Sequence, residues 1–242
     1  MSRGIGVTET LRETLPEWTA PLFELAALGG DLLLIVPVLG LLYVTSVFVS
    51  LRRSTDAGEG PLCSDRSAFV IAVVFGGLAL IVLLKAALSL PRPPAELHAV
   101  SPSEYGFPSG HTMAATIFWG AIALWSTIGR QRARFAVAAA VVSLVGLSRL
   151  ALGVHYLVDV VASIAFGLVY LAVVAGIANG RPGRAFVIAI AIAGIAVLVG
   201  GEHSRALLAL AGSVGVGVSW WVLEQASVRR RPVRTVERGL SG

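Results

Sequence analysis

Long apolar runs alternate with short polar breaks along most of the chain, and arginine recurs in the breaks. A bilayer core requires about 20 apolar residues of helix, with roughly 17 tolerated. Seven segments approach that length: Leu32–Leu51, Ser67–Leu90, His111–Ile128, Phe135–Leu152, Val154–Ile177, Ala185–Val199 and Ala206–Leu223. The polar cluster Gly200-Gly201-Glu202-His203-Ser204-Arg205 divides the last hydrophobic stretch into two helices. Before Leu32, the apolar Pro21–Leu28 stretch is too short to cross and ends at Gly29-Gly30-Asp31, which predicts an amphipathic helix in the interface.

Composition fixes the solvent. Hydrophobic residues make up 56% of the 242 positions, charged residues only 14%, and mean hydropathy is +0.82. The expected fold is all-α, a polytopic transmembrane bundle of about six to seven spans, because helices satisfy their own backbone groups in lipid. Residues 1–31 form an N-terminal segment, 32–223 the transmembrane domain and 224–242 a basic cytoplasmic tail. Cys63 is alone and forms no internal disulfide. Glu9, Glu13, Glu17 and Glu24 interrupt the first thirty residues, so no cleaved signal peptide is expected, and the first span serves as the insertion signal.

Arginine placement sets the orientation, because cytoplasmic loops are enriched in Lys and Arg. With seven spans, thirteen of the nineteen basic residues fall on one side, from Arg52 and Arg53 through Arg130, Arg132 and Arg134 to the Arg229–Arg231 tail. The expected arrangement is a multi-pass membrane protein with the N-terminus out and the C-terminus in the cytoplasm. Trp220-Trp221 fits an interfacial belt, and the tail fits anionic headgroups rather than nucleic acid.

Some charges do not follow that pattern. Lys85 and Arg92 lie at the outer end of the second span, His111 opens the third, Arg149 closes the fourth, and His155 and Asp159 open the fifth. Alternating helix directions would scatter unrelated residues between faces, yet all of these fall on the extracytoplasmic one. Ionisable groups beside hydrocarbon cost several kcal/mol, so they imply an anionic partner or a catalytic task.

Phosphoryl chemistry accounts for each residue type. Three cations, Lys85, Arg92 and Arg149, suit the negative oxygens of a phosphate ester, and Arg matches two of them at once. Lys85 is the only lysine beside eighteen arginines, although a snorkelling side chain is the simpler explanation. Pro108-Ser109-Gly110-His111 reads as a turn entering a helix N-terminus, where Ser109 either caps the helix or donates to phosphate, and Gly110 lets a ligand approach. His111 is a candidate general acid. His155 and Asp159, four apart, stack on one helical face, either as an oriented nucleophile or as a pair that only ties the helix in place. Two histidines and one aspartate among three cations make a poor metal site, so neither metal nor cofactor is expected.

Lys85, six residues and Arg92-Pro93; then Pro108-Ser109-Gly110-His111; then Ser148-Arg149, five residues, His155, three residues and Asp159: this order resembles the type 2 phosphatidic acid phosphatase (PAP2) superfamily, in its membrane lipid phosphatase branch. The resemblance covers Lys85 to Asp159. It implies a metal-independent phosphatase with a phosphohistidine intermediate on His155, Asp159 orienting it and His111 protonating the leaving group. Lys85, Arg92, Ser109, Gly110 and Arg149 would hold the phosphate. The chain departs from the usual six-helix pattern by lacking one full span before the Lys85 helix and adding two after Asp159. Phosphatidic acid, phosphatidylglycerophosphate and polyprenyl diphosphates all fit a site at headgroup depth. Glu104, Tyr105, His98 and His203 read as solvated loop residues. An anion transporter or channel would need cations recurring at several depths, and helices one, three, six and seven have none in their middles. A binding scaffold would need the cations but not the His111, His155 and Asp159 set.

Overall fold

A computed structural model describes residues 4–53, 61–102, 105–201 and 204–225. The basic tail, Glu104 and His203 lie outside the described residues. Two short helices, α1 (Ile5–Thr14) and α2 (Ala20–Ala27), precede the long helices α3 (Leu32–Arg53), α4 (Asp65–Leu88), α5 (Gly110–Trp125), α6 (Gln131–Ala151), α7 (Leu157–Ala178), α8 (Pro182–Gly200) and α9 (Ser204–Leu223). There is no strand among the described residues, and the expected helical bundle is what the chain forms.

Among the described residues, six helical stretches are long and apolar enough to cross a membrane: residues 17–52, α4, α6, α7, α8 and α9. The third expected span is shorter than predicted. α5 has 16 residues, about 24 Å at 1.5 Å per residue, and ends at Trp125 rather than Ile128. Arg134 from α6 explains the early stop, because its Nε donates to the Ala123 carbonyl at 3.1 Å and its Nη1 to that of Gly129 at 3.1 Å. These bonds satisfy carbonyls that a longer helix would have used internally.

α4 runs through the centre of the bundle, with α8 and α9 on one side and α5 on another; α5 in turn packs against α6 and α7. Hydrocarbon supplies no hydrophobic force between helices, so close van der Waals packing and interhelical hydrogen bonds hold them. Ala189, Ala193 and Ala196 are fully buried on α8, and the Tyr170 hydroxyl of α7 donates to the Val73 carbonyl of α4 at 2.6 Å. Phe69, Val73, Ile117, Phe118 and Val174 fill the core between these helices. α3 is attached more loosely, leaving a cleft of about 310 Å³ between it and α4, α8 and α9, lined by Val36, Tyr43, Phe75, Phe186 and Trp220 among others. Trp220 stacks on Phe186 at 5.3 Å and Trp221 stays exposed, as expected for an aromatic belt at that helix end.

The N-terminal segment does more than lie on the surface. α2 packs along α6, and its outer side exposes Leu22 and Leu25, with Trp18 just before it. α1 reaches the turn between α6 and α7, where the buried Thr8 hydroxyl donates to the His155 carbonyl at 3.0 Å. The chain then breaks at Asp31, whose extended backbone separates α2 from α3 and whose Oδ1 caps α3 by accepting from Leu33 N at 2.8 Å.

Candidate active site

Local structure brings the polar residues to one end of the bundle. Lys85 sits in the last turn of α4, and the connection from Ser89 to Ser109 folds back over the turn that joins α6 to α7. Ala99 N donates to the Leu152 carbonyl at 3.0 Å, and Gly153, with φ +73°, has the Leu97 carbonyl where a Cβ would stand. Only glycine fits that left-handed close approach.

His155 differs from its expected setting. The helix begins at Leu157, so His155 lies in the preceding turn and not on a helical face with Asp159. Gly153 ends the preceding run in a left-handed turn, and Asp159 occupies the third helical position, where a carboxylate folds back over the helix start. Its Oδ2 accepts from Tyr156 N at 3.0 Å and lies 3.3 Å from His155 Nδ1. The pairing survives, on capping geometry instead of helical stacking. The Asp159 carbonyl also receives Ser163 Oγ at 2.6 Å and Ser109 N at 3.4 Å, which ties α7 to the start of α5.

Arg92 determines the protonation pattern of this pair. Its Nη1 donates to the Val154 carbonyl at 2.7 Å and lies 3.1 Å from His155 Nε2. A guanidinium has no acceptor, so Nε2 offers its lone pair and Nδ1 carries the proton toward Asp159. His155 is 1% exposed, and burial, reinforced by Arg92, Lys85, Arg149 and His111, pushes its pKa well below the usual imidazole value. The ring is therefore neutral at neutral pH. Arg92 itself is pushed down to about 10, chiefly by burial and then by Arg149, with Asp159 opposing and the exposed Arg205 adding to the positive field.

The remaining predicted residues converge on the same place. Lys85 Nζ donates to the Tyr105 carbonyl at 2.9 Å, so this tyrosine contributes its backbone rather than its phenol. A Cβ on Gly110 would stand 3.3 Å from Lys85 Cε, which places α4 and the start of α5 in contact. Ser109 is fully buried, with its hydroxyl 2.9 Å from Thr112 Oγ1. Arg149 is 7% exposed and its buried Nε has no hydrogen-bond partner among the described residues. Leaving a charged donor unpaired in a buried place is costly, so an anionic ligand is what would satisfy it. His98 is half-buried rather than solvated, with its Nε2 3.0 Å from the Pro93 carbonyl.

One group escaped the sequence. Asp31 Oδ2 lies 3.1 Å from His111 Nε2, across eighty positions. An aspartate before an apolar run signals a helix cap, which it also is, and nothing in the pattern pairs it with a particular histidine.

An all-α membrane bundle with a buried His–Asp pair, a second histidine and three cations at one end defines a class of phosphoryl-handling membrane proteins. Residues 67–183 match the family model of the PAP2 superfamily, and that stretch holds every predicted site residue. The chain is also similar to the transmembrane PAP2-type phosphatidylglycerolphosphate phosphatase from Bacillus subtilis, with a TM-score of 0.59 and 23% identity over 72% of this chain and 84% of that one. The likeness covers the fold alone, a multi-pass bundle of membrane helices. No curated protein matches the chain.

Proposed function

We propose that the protein is an integral-membrane lipid phosphatase that hydrolyses a phosphomonoester of the phosphatidic acid type through a phosphohistidine. The observation that carries this reading is the buried His155, paired through Nδ1 with Asp159 and facing the Arg92 guanidinium through Nε2, beside a buried Arg149 Nε that has no partner among the described residues. Arg92, Arg149 and Lys85 would neutralise the phosphate oxygens, with Ser109 and the backbone at Gly110 completing the cradle. On binding, Arg92 turns from Nε2 to the phosphate and frees the lone pair. Nε2 then attacks phosphorus, the bond from phosphorus to the lipid oxygen breaks, and His111 gives its proton to the departing alkoxide. Asp159 holds the Nδ1 proton throughout and stabilises the charge that develops on the ring. Water next attacks the phosphohistidine, His111 takes the proton from that water, and phosphate leaves. Three cations around the pocket disfavour a divalent metal, so none takes part.

A lipid substrate fits the setting, since the polar cluster lies at helix ends in a bundle whose flanks are apolar. A polyprenyl diphosphate is the second reading, favoured by Arg205, whose charge acts on both Arg92 and Lys85 and suits a second phosphate. Basic loops place the site on the extracytoplasmic side and the C-terminus in the cytoplasm. Labelling of a cysteine introduced between Arg130 and Arg134 should therefore require permeabilised cells, and labelling of intact cells would invert the orientation.

Phosphate release by the purified protein from a panel of lipid monophosphates and diphosphates, with EDTA present, tests the function. Activity that persists in EDTA and disappears in H155A is expected. Equal turnover in H155A would remove the nucleophile, and loss of turnover in EDTA would restore a metal to the mechanism.

A further inference from the structure

The two imidazoles of the site have opposite requirements. His155 must be bare at Nε2 to attack, and burial with Arg92 on that nitrogen provides this. His111 must carry a proton to give away, yet Arg149 from α6 and Lys85 from α4 face it, and His155 lies nearby. Positive neighbours oppose an imidazolium. Among the described residues, the carboxylate in contact with His111 is Asp31, from the break between α2 and α3.

The contact is built rather than incidental. Asp31 Oδ1 is occupied by Leu33 N at 2.8 Å, which fixes the carboxylate and leaves Oδ2 for His111. Just before it, the Trp119 indole of α5 donates to the Gly29 carbonyl at 2.9 Å. Gly30 packs so closely on the His111 carbonyl that a Cβ has no room there. Three successive residues of the N-terminal segment thus clamp α5 at and beyond its first turn. A carboxylate only accepts, so Nε2 of His111 is the protonated nitrogen in the neutral ring. Nδ1 is then the nitrogen left to exchange a proton with a leaving group.

We propose that Asp31 is a positioning residue of the phosphatase site, selecting Nδ1 of His111 as the proton donor and stabilising its imidazolium against Arg149 and Lys85. This rests on the phosphatase reading above and deepens it: the N-terminal segment completes a site whose other residues all come from 67–183. Asp31→Asn is the informative change, because its single amide oxygen can keep the α3 cap at Leu33 N while an uncharged NH2 group replaces the carboxylate oxygen that accepts from Nε2. Asp31→Ala removes the cap as well.

Two measurements on the full chain in lipid nanodiscs decide the matter. With ¹⁵N-labelled histidine, and the His111 signals assigned by their loss in His111→Gln, the titration midpoint of His111 should fall by about one unit in D31N, as expected for loss of a contacting opposite charge. D31A should also mix the two neutral tautomers. In turnover, D31N should lose about tenfold or more in kcat on an alkyl lipid phosphate, in line with a partial loss of general acid catalysis. On p-nitrophenyl phosphate, whose leaving group needs no proton, the loss should be clearly smaller, leaving only the share of His111 in the water step that both substrates have in common. An unchanged midpoint, or equal losses on both substrates, would reduce Asp31 to a structural cap. Wild-type protein that releases phosphate from neither substrate would overturn the phosphatase reading and the role together, whereas active wild type with unaltered D31N would overturn the role alone.

Discussion

The two ends of the bundle are built from different materials. Around the site, Thr8, Ser109, Thr112, Ser148, Arg149, His155, Asp159 and Ser163 are all buried, and most of them bond to backbone or to one another. The cleft between α3, α4, α8 and α9 is nearly all hydrocarbon, with Val36, Leu39, Ile71, Phe75 and Phe186 on its walls. Buried polar groups cost stability unless they are satisfied, and their concentration at one end marks where chemistry justifies that cost. The cleft gains mainly from apolar packing and keeps room to spare.

That contrast predicts how unevenly substitutions will act. H155A should have the largest effect, a fall in kcat of at least about 10³-fold, since removal of a covalent nucleophile commonly costs this much or more. R149K should follow, losing about 10²-fold because a point charge cannot reproduce the two-pronged contact that stabilises transferring oxygens. Initial rates on one lipid phosphate check both. The pH profile sharpens the same point. Because His155 is held well below 6.5, its proton is lost before neutrality, so kcat/KM should hold steady as pH falls through 6.5 and decline only at lower pH. A limb at 6.5 or above would mean that burial and Arg92 do not govern the ring. At the far end, V216L, which adds a methylene to the cleft wall, should leave kcat within about twofold. A large loss there would erase the distinction between the two ends.

Much of this was legible in the chain. Apolar run length located α3 to α9 to within a few residues, because a bilayer imposes one helix length on every span. The spacing of Lys85, Arg92, Ser109, Gly110, His111, Arg149, His155 and Asp159 also anticipated that these residues meet. Contacts made by backbone were not legible. Arg134 shortens α5 through carbonyls, His155 precedes its helix because of a left-handed glycine, and Lys85 rests on the Tyr105 carbonyl, none of which leaves a side-chain signature. The pairing of Asp31 with His111 escaped for a different reason: its local role as a cap is sufficient to explain the residue.

The arginine resting on His155 Nε2 has a chemical consequence. His155 is 1% exposed and its Nε2 faces the guanidinium, while the ring of His111 is 33% exposed. With His155 as the proposed nucleophile, its lone pair would stay sheathed until an anion draws the guanidinium away. A phosphate's own charge would then unlock the group that attacks it, and a neutral alkylating agent, lacking that charge, would find it closed.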